Sequence, residues 1–275
     1  MINAASRMAT TRPFVSIAAI RRSGSTILSE MLTDPPRAFI FREPRMARGV
    51  FDIKPGDAEL MAEHGIDLPG FVRRWSGFRR RWMVRGFQRE LMPALLARFE
   101  QVGVKEISHR HWRRYDRAFP GMRIIALARD PRDIYLSLVD RAEKDAGTAR
   151  TVATDPGATA AEINRQFRFL REMVSERGAL RVTYEQLCTD PEVFHRIAAH
   201  CETPLERPGA AGRFNASNTA RADEAAMHRG RVTKARVDRW KTEPDPRRRA
   251  GADEVFRLTR VFAEFWGYTE RGGAG

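Results

Sequence analysis

An α/β fold of three layers, helices covering both faces of a central parallel sheet, is the architecture the sequence predicts. Two observations predict it. Five short apolar runs, at residues 14–20, 38–41, 102–107, 123–128 and 179–183, are separated by longer stretches with apolar residues at helical spacing. The first run also passes straight into a small-residue turn and a helix start, FVSIAAIRRSGSTILSEML (residues 14–32), a strand-turn-helix unit that suits an anion.

In that unit the run 14–20 reads as a buried strand. Ile27, Leu28, Met31 and Leu32 form the apolar stripe of the helix that follows. Between them lie Arg21, Arg22, Ser23, Gly24, Ser25 and Thr26. Backbone N–H groups of such a turn, with the positive end of the helix, converge on a phosphate, and Gly24 lets the backbone approach it closely. Ser25 and Thr26 add hydroxyl donors and Arg22 a fixed charge. The placement is that of a P-loop nucleotide triphosphatase, whose loop reads GxxxxGK followed by Ser or Thr. Here Ser25 occupies the lysine position and Ala19 that of the first glycine, which argues against ATP hydrolysis.

The second strand, 38–41, ends in Arg42, Glu43 and Pro44. Residues 57–64 read as helical. The segment 71–82, FVRRWSGFRRRW, interleaves arginine with aromatics, a pattern suited to nucleic-acid stacking, to sugar or anion recognition, or to a helix with packed rings and solvated arginines. Residues 84–99 predict one helix through Phe87, Leu91, Leu95 and Phe99. The third strand ends near Lys105, Ser108, His109 and His111, and a short helix follows over 112–119. The clearest central strand, 123–128, runs into Arg129-Asp130-Pro131-Arg132-Asp133, with Pro131 and Asp133 at helix-start positions. Further helices are expected over 160–176, 191–200 and 254–266. Residues 1–12 and 203–231 read as flexible.

The 275 residues suffice for a single domain, 1–275. The balance of 49 Lys+Arg against 35 Asp+Glu gives a net charge of +14, which favours polyanionic partners, whether nucleic acid, anionic membrane or a small ligand with several phosphates. Two cysteines, Cys188 and Cys201, make neither a disulfide framework nor a zinc site. No apolar run approaches the roughly 20 residues that span a bilayer, and the first dozen residues lack a signal peptide's apolar centre, the run 15–20 being short and leading directly into Arg21-Arg22, so a soluble cytoplasmic protein is expected.

Four stretches taken together resemble the sulfotransferase family. RRSGST (21–26) is similar to its 5′-phosphosulfate loop, often written PKSGTT. IIALARDPRDIYLSL (124–138) resembles its 3′-phosphate motif, RVTYEQLCTDP (181–191) its later strand and Tyr-Glu-x-Leu element, and VTKARVDRWK (232–241) its basic loop before a tryptophan. The resemblance implies a donor, 3′-phosphoadenosine 5′-phosphosulfate (PAPS), and no metal. It implies that Arg21 to Thr26 hold the phosphosulfate, that Arg129 and Ser137 bind the 3′-phosphate, that Tyr184 contacts adenine, and that Arg231 and Lys234 close over the 3′-phosphate. Ile27 departs from the family, which has a tryptophan there against adenine.

Transfer to an acceptor hydroxyl or amine requires a base and a cation on the leaving phosphate. Arg22 is expected to supply the cation, with Lys105 as helper. Glu43, similar to the glutamate of carbohydrate and tyrosylprotein sulfotransferases, is the first choice of base. His109 is the second and His111 the third. The acceptor, a sugar, lipid, tyrosyl group or small phenol, is not read from the sequence. A P-loop small-molecule kinase and a basic nucleic-acid-binding protein are the alternative readings.

Overall fold

The computed structural model describes residues 12–54, 56–144, 154–203 and 234–270. Five parallel strands, β1 (Val15–Ala19), β2 (Ala38–Arg42), β3 (Gln101–Glu106), β4 (Arg123–Ala128) and β5 (Leu180–Thr183), form one sheet in the order β2-β3-β1-β4-β5. Every strand lies within a residue or two of the run that predicted it. β1 is central and buried along its whole length, because both its faces are covered. Its alternate residues separate cleanly. Ala18 joins a core shared with Phe39, Phe41 and Phe87, whereas Val15, Ile17 and Ala19 pack on the other face with Leu28, Val193 and Ile197.

The helices follow in chain order: α1 (Ser25–Leu32), α2 (Asp57–Glu63), α3 (Leu68–Trp75), α4 (Met83–Gly86), α5 (Met92–Leu96), α6 (Arg113–Ala118), α7 (Pro131–Lys144), α8 (Pro156–Arg177), α9 (Tyr184–Thr189), α10 (Glu192–Cys201), α11 (Pro246–Leu258) and α12 (Arg260–Trp266). No described helix is long and apolar enough to cross a membrane.

Three expectations change. The single helix over 84–99 is instead α4, a π turn at Phe87–Leu91 and α5, with Pro93 in the first turn of α5 unable to donate back into the preceding turn. The helix expected over 254–266 is two helices and begins earlier. Asp245 caps α11 by accepting from Arg247 and Arg248 N–H, ahead of a polar RRR run that carries no apolar stripe. The break falls at Thr259, whose hydroxyl donates to the Val255 carbonyl at 2.8 Å and competes with the helix backbone. The segment 71–82 is helical only to Trp75, and a 3-10 turn, Gly77–Trp82, takes over without burying a residue. Most of the stretches 1–12 and 203–231 lie outside the described residues.

Candidate active site

All five strands are parallel, so their carboxyl ends share one edge. β1 lies between β3 and β4, where the connection from β1 to β2 runs to one side of the sheet and that from β3 to β4 to the other, the position at which open α/β sheets bind ligands. A cavity of about 180 Å³ opens there, lined by Arg21, Arg22, Gly24, Ser25, Thr26, Ile27, Glu43, Ile107, Arg129, Ser137 and Tyr184.

Its floor is the turn between β1 and α1. Arg22 and Gly24 both adopt left-handed backbone conformations, φ 65° and φ 83°. Arg22 accepts this strain as a non-glycine residue; at Gly24 a side chain is excluded, because an added Cβ would lie 2.5 Å from Tyr184 Cδ2. Ser23 does not reach the cavity. Its hydroxyl donates to the Ile20 carbonyl at 2.5 Å and closes the turn. α1 has no side-chain cap, so the N–H groups of its first turn point at the cavity unsatisfied by a capping side chain.

The wall comes from β4 and α7. Arg129 is buried at the end of β4. It donates to the Arg22 carbonyl at 3.2 Å and to the Arg236 carbonyl, and pairs with Asp133 at 3.5 Å, while its Nε has no hydrogen-bond partner. Ser137, two turns into α7, accepts from Arg22 Nε at 3.0 Å. Arg22 therefore links the two regions that the sequence assigned to opposite ends of one ligand. Burial, together with the charges of Arg129, Arg141, Arg21 and Arg236, pushes the Arg22 guanidinium down to about 10. Four other arginines bear on Arg22, and a bound anion would relieve that repulsion.

Two of those four, Arg141 and Arg236, were not singled out in the sequence. Arg141 stands one helical turn beyond Ser137 on α7, a spacing that does signal a shared face. Arg236 gives no local signal, because the segment 234–242 reaches the site only through tertiary contacts. Arg132 is held bidentate by Asp130, at 2.9 and 2.7 Å, and lies 3.5 Å from the centre of the Trp240 ring. Asp133 accepts from Trp240 N–H at 3.1 Å, and Asp140 from Arg239 and from Arg236 at 3.2 Å. In RDPRD, then, Arg129 faces the cavity, while Asp130, Arg132 and Asp133 fasten the neighbouring segment at Trp240. Lys234 is exposed and does not line the cavity; Arg231 lies outside the described residues.

Tyr184 begins α9, behind a capping box made by Thr183 and Gln186. Its ring carries the Arg129 guanidinium at 4.4 Å and packs with Ile27 and Met31 in one apolar cluster.

Glu43 stands on the far side, one residue beyond β2. Its backbone is left-handed, φ 50°, and its N–H donates to the Lys105 carbonyl at 2.6 Å. The Glu43 carboxylate accepts from Lys105 Nζ at 2.6 Å, and not from Arg42, which pairs with Glu30 and Asp57. Burial alone would raise this carboxyl, but Lys105, with Lys54 and Arg45 farther off, holds it below its ordinary value. Lys105 is itself buried and reaches the cavity only through Glu43.

The histidines lie elsewhere. His109 is buried, its Nε2 donates to the Ala19 carbonyl at 3.0 Å, and burial pushes it down to about 4. Neither His109 nor His111 lines the cavity. Among the described residues no cluster of His, Cys, Asp and Glu is arranged to hold a metal ion.

Residues 13–207 match the model of the sulfotransferase family. No curated protein matches the chain in sequence. Among solved structures, the sulfotransferase domain from the curacin biosynthetic pathway superimposes with a TM-score of 0.63 at 18% identity, over 92% of this chain and 98% of that one. The sulfotransferase domain of the Synechococcus PCC 7002 olefin synthase gives 0.55 at 18% identity, over 91% and 94%. Mouse sulfotransferase SULT7A1, solved in complex with PAP, gives 0.53 at 12% identity, over 92% and 89%.

Proposed function

The chain belongs to the sulfotransferase family, and from that premise we propose that it transfers a sulfuryl group from PAPS to a hydroxyl or amine of an acceptor. The observation that carries the reading is the meeting of two anion-binding regions in one cavity, Arg22 to Thr26 on one side and Arg129 with Ser137 on the other, joined by the 3.0 Å Arg22–Ser137 hydrogen bond. A ligand with anionic groups at both the 5′ and 3′ positions of one nucleoside is the chemistry that such a pair of regions selects. The residues fit it: the buried Arg129 Nε lacks a partner, and Gly24 leaves a cradle that a methyl group would fill. The PAP complex of a mouse protein of the same fold supports the same donor.

In this reading the 21–26 turn and the first turn of α1 hold the phosphosulfate. Arg129 and Ser137 hold the 3′-phosphate. Ile27 and Tyr184 supply the apolar wall for adenine that a tryptophan provides elsewhere in the family. The acceptor oxygen or nitrogen attacks sulfur as the bond from sulfur to the bridging oxygen breaks. The electron pair of that bond stays on the 5′-phosphate, whose added charge falls beside Arg22. The acceptor's proton passes to Glu43, which Lys105 keeps ionised and therefore ready to receive it. The acceptor is whatever sugar, lipid, tyrosyl or phenolic hydroxyl, or amine, reaches Glu43.

A thermal-shift series tests the donor site. The protein's melting temperature should rise with 3′,5′-adenosine bisphosphate and respond little to 5′-AMP or ATP. Equal stabilisation by all three would refute the two-anion reading.

A further inference from the structure

The segment between Asp67 and Glu90 contains seven arginines and not one Asp or Glu. All seven are exposed. It contributes nothing to the cavity lining. At its centre the 3-10 turn Gly77–Trp82 buries none of its six residues, and it holds Phe78, 81% exposed, and Trp82, 42% exposed, on either side of Arg79, Arg80 and Arg81. Arginine alone would keep this surface soluble. Two large rings left in water among the arginines are the anomaly, since large apolar side chains in the open mark a surface that meets something.

We propose that this face docks on an anionic phospholipid surface. The charge is complementary to acidic headgroups, and the projecting Phe78 and Trp82 suit the boundary between headgroups and acyl chains, where aromatic rings settle. Single-stranded nucleic acid is the competing polyanion, and the geometry disfavours it. Bases stack on open ring faces, but Arg81 lies over the Trp82 ring at 3.9 Å and Arg79 over Phe78 at 5.6 Å. Each ring carries a guanidinium over one face, an arrangement suited to insertion between headgroups, where the cation meets a phosphate as the ring enters the acyl boundary.

The turn is firmly seated. α3 anchors it through buried Leu68 and Phe71, and Gly49, at φ 79°, meets it so closely that a Cβ there would stand 2.8 Å from the Arg80 carbonyl. Gly49 ends the short 3-10 turn Met46–Arg48, three residues after Glu43. The docking face is thus built against the loop that carries Glu43. The inference does not rest on sulfuryl transfer, and its test is separate.

Co-flotation of the full chain with vesicles decides it. Vesicles of phosphatidylcholine with phosphatidylserine should carry the protein up, and vesicles of phosphatidylcholine alone should not. The triple variant Arg79→Glu, Arg80→Glu, Arg81→Glu should lose this binding by about a hundredfold, while its thermal response to 3′,5′-adenosine bisphosphate stays that of the parent chain. Phe78→Ser should weaken the part of the binding that survives raised salt, because insertion is apolar where headgroup attraction is screened. Equal flotation with neutral vesicles would overturn the proposal. So would unchanged binding in the triple variant, or displacement of the protein from acidic vesicles by a single-stranded oligonucleotide of equal charge.

Discussion

Arginine is used in two opposite ways in this chain. Around Arg22, charges from three separate stretches, 21–22, 129–141 and 236, bear on one partly buried guanidinium, and burial together with their repulsion pushes Arg22 down to about 10. Between residues 73 and 89 the arginines come from one continuous stretch, lie in the open and surround exposed rings. A net charge of +14 describes both and distinguishes neither. Convergence from distant parts of the chain, at a cost in repulsion, marks a site for a small anion; local density at the surface marks a site for an extended one.

The sharpest way to break that contrast is at the convergent cluster. Arg129→Ala removes the guanidinium proposed to hold the 3′-phosphate and leaves the buried Asp133 without its ion-pair partner. Breaking a buried pair costs about 3–5 kcal/mol, so the variant should melt lower and show no response to 3′,5′-adenosine bisphosphate. Arg22→Ala separates the two effects. Removing a charge held among like charges relieves repulsion, so the ligand-free melting temperature should hold steady or rise while the response to the bisphosphate disappears. A clear fall in ligand-free stability would show that Arg22 serves the fold through its bond to Ser137 more than it serves an anion.

Next in size is the proposed base, Glu43. Glu43→Gln keeps the shape and an acceptor for Lys105 but cannot take a proton. Turnover should fall by about 10²–10⁴, with bisphosphate binding retained. The pH dependence follows from the sign of the shift. Lys105 holds the Glu43 carboxyl below 4.5, its ordinary value, so activity is lost as pH falls through that lowered value. The rate should show no inflection near 6.5, the ordinary value for histidine. Parent-like turnover in the glutamine variant would remove Glu43 from the mechanism and return attention to His109, despite its burial behind Ala19.

The sheet was legible because buried parallel strands announce themselves as apolar runs, and all five lie where those runs stand. Helix ends were harder. The start of α11 rests on the Asp245 cap and Pro246 and not on any apolar stripe, and its end on one threonine hydroxyl. Within the cavity lining, residues whose place follows from local chain position were readable: Gly24 from its place after a strand, Arg129 from its place at a strand end, Ser137 from its spacing. The roles of Ser23 and Lys105 were not, because a hydroxyl that closes a turn and a lysine that faces a glutamate look the same in sequence as ones that face a ligand. His109 illustrates the same limit, since only the fold reveals that its ring is spent on the Ala19 carbonyl.

The smallest effect is expected at Ser137, and it tests the assignment of the two ends of the ligand. Ser137 Oγ accepts from Arg22 Nε, and a serine hydroxyl in that position can at the same time donate to a phosphate oxygen. Ser137→Ala removes both bonds without removing a charge. A net loss of about 0.5–1.5 kcal/mol per hydrogen bond corresponds to a several-fold weaker affinity for 3′,5′-adenosine bisphosphate. 5′-AMP has no group for Ser137 to meet, so calorimetric titration should show its weak affinity unchanged by the substitution. Equal weakening of both nucleotides would place the hydroxyl's influence on the 5′ side, through the orientation of Arg22, and would leave Arg129 as the residue that recognises the 3′-phosphate.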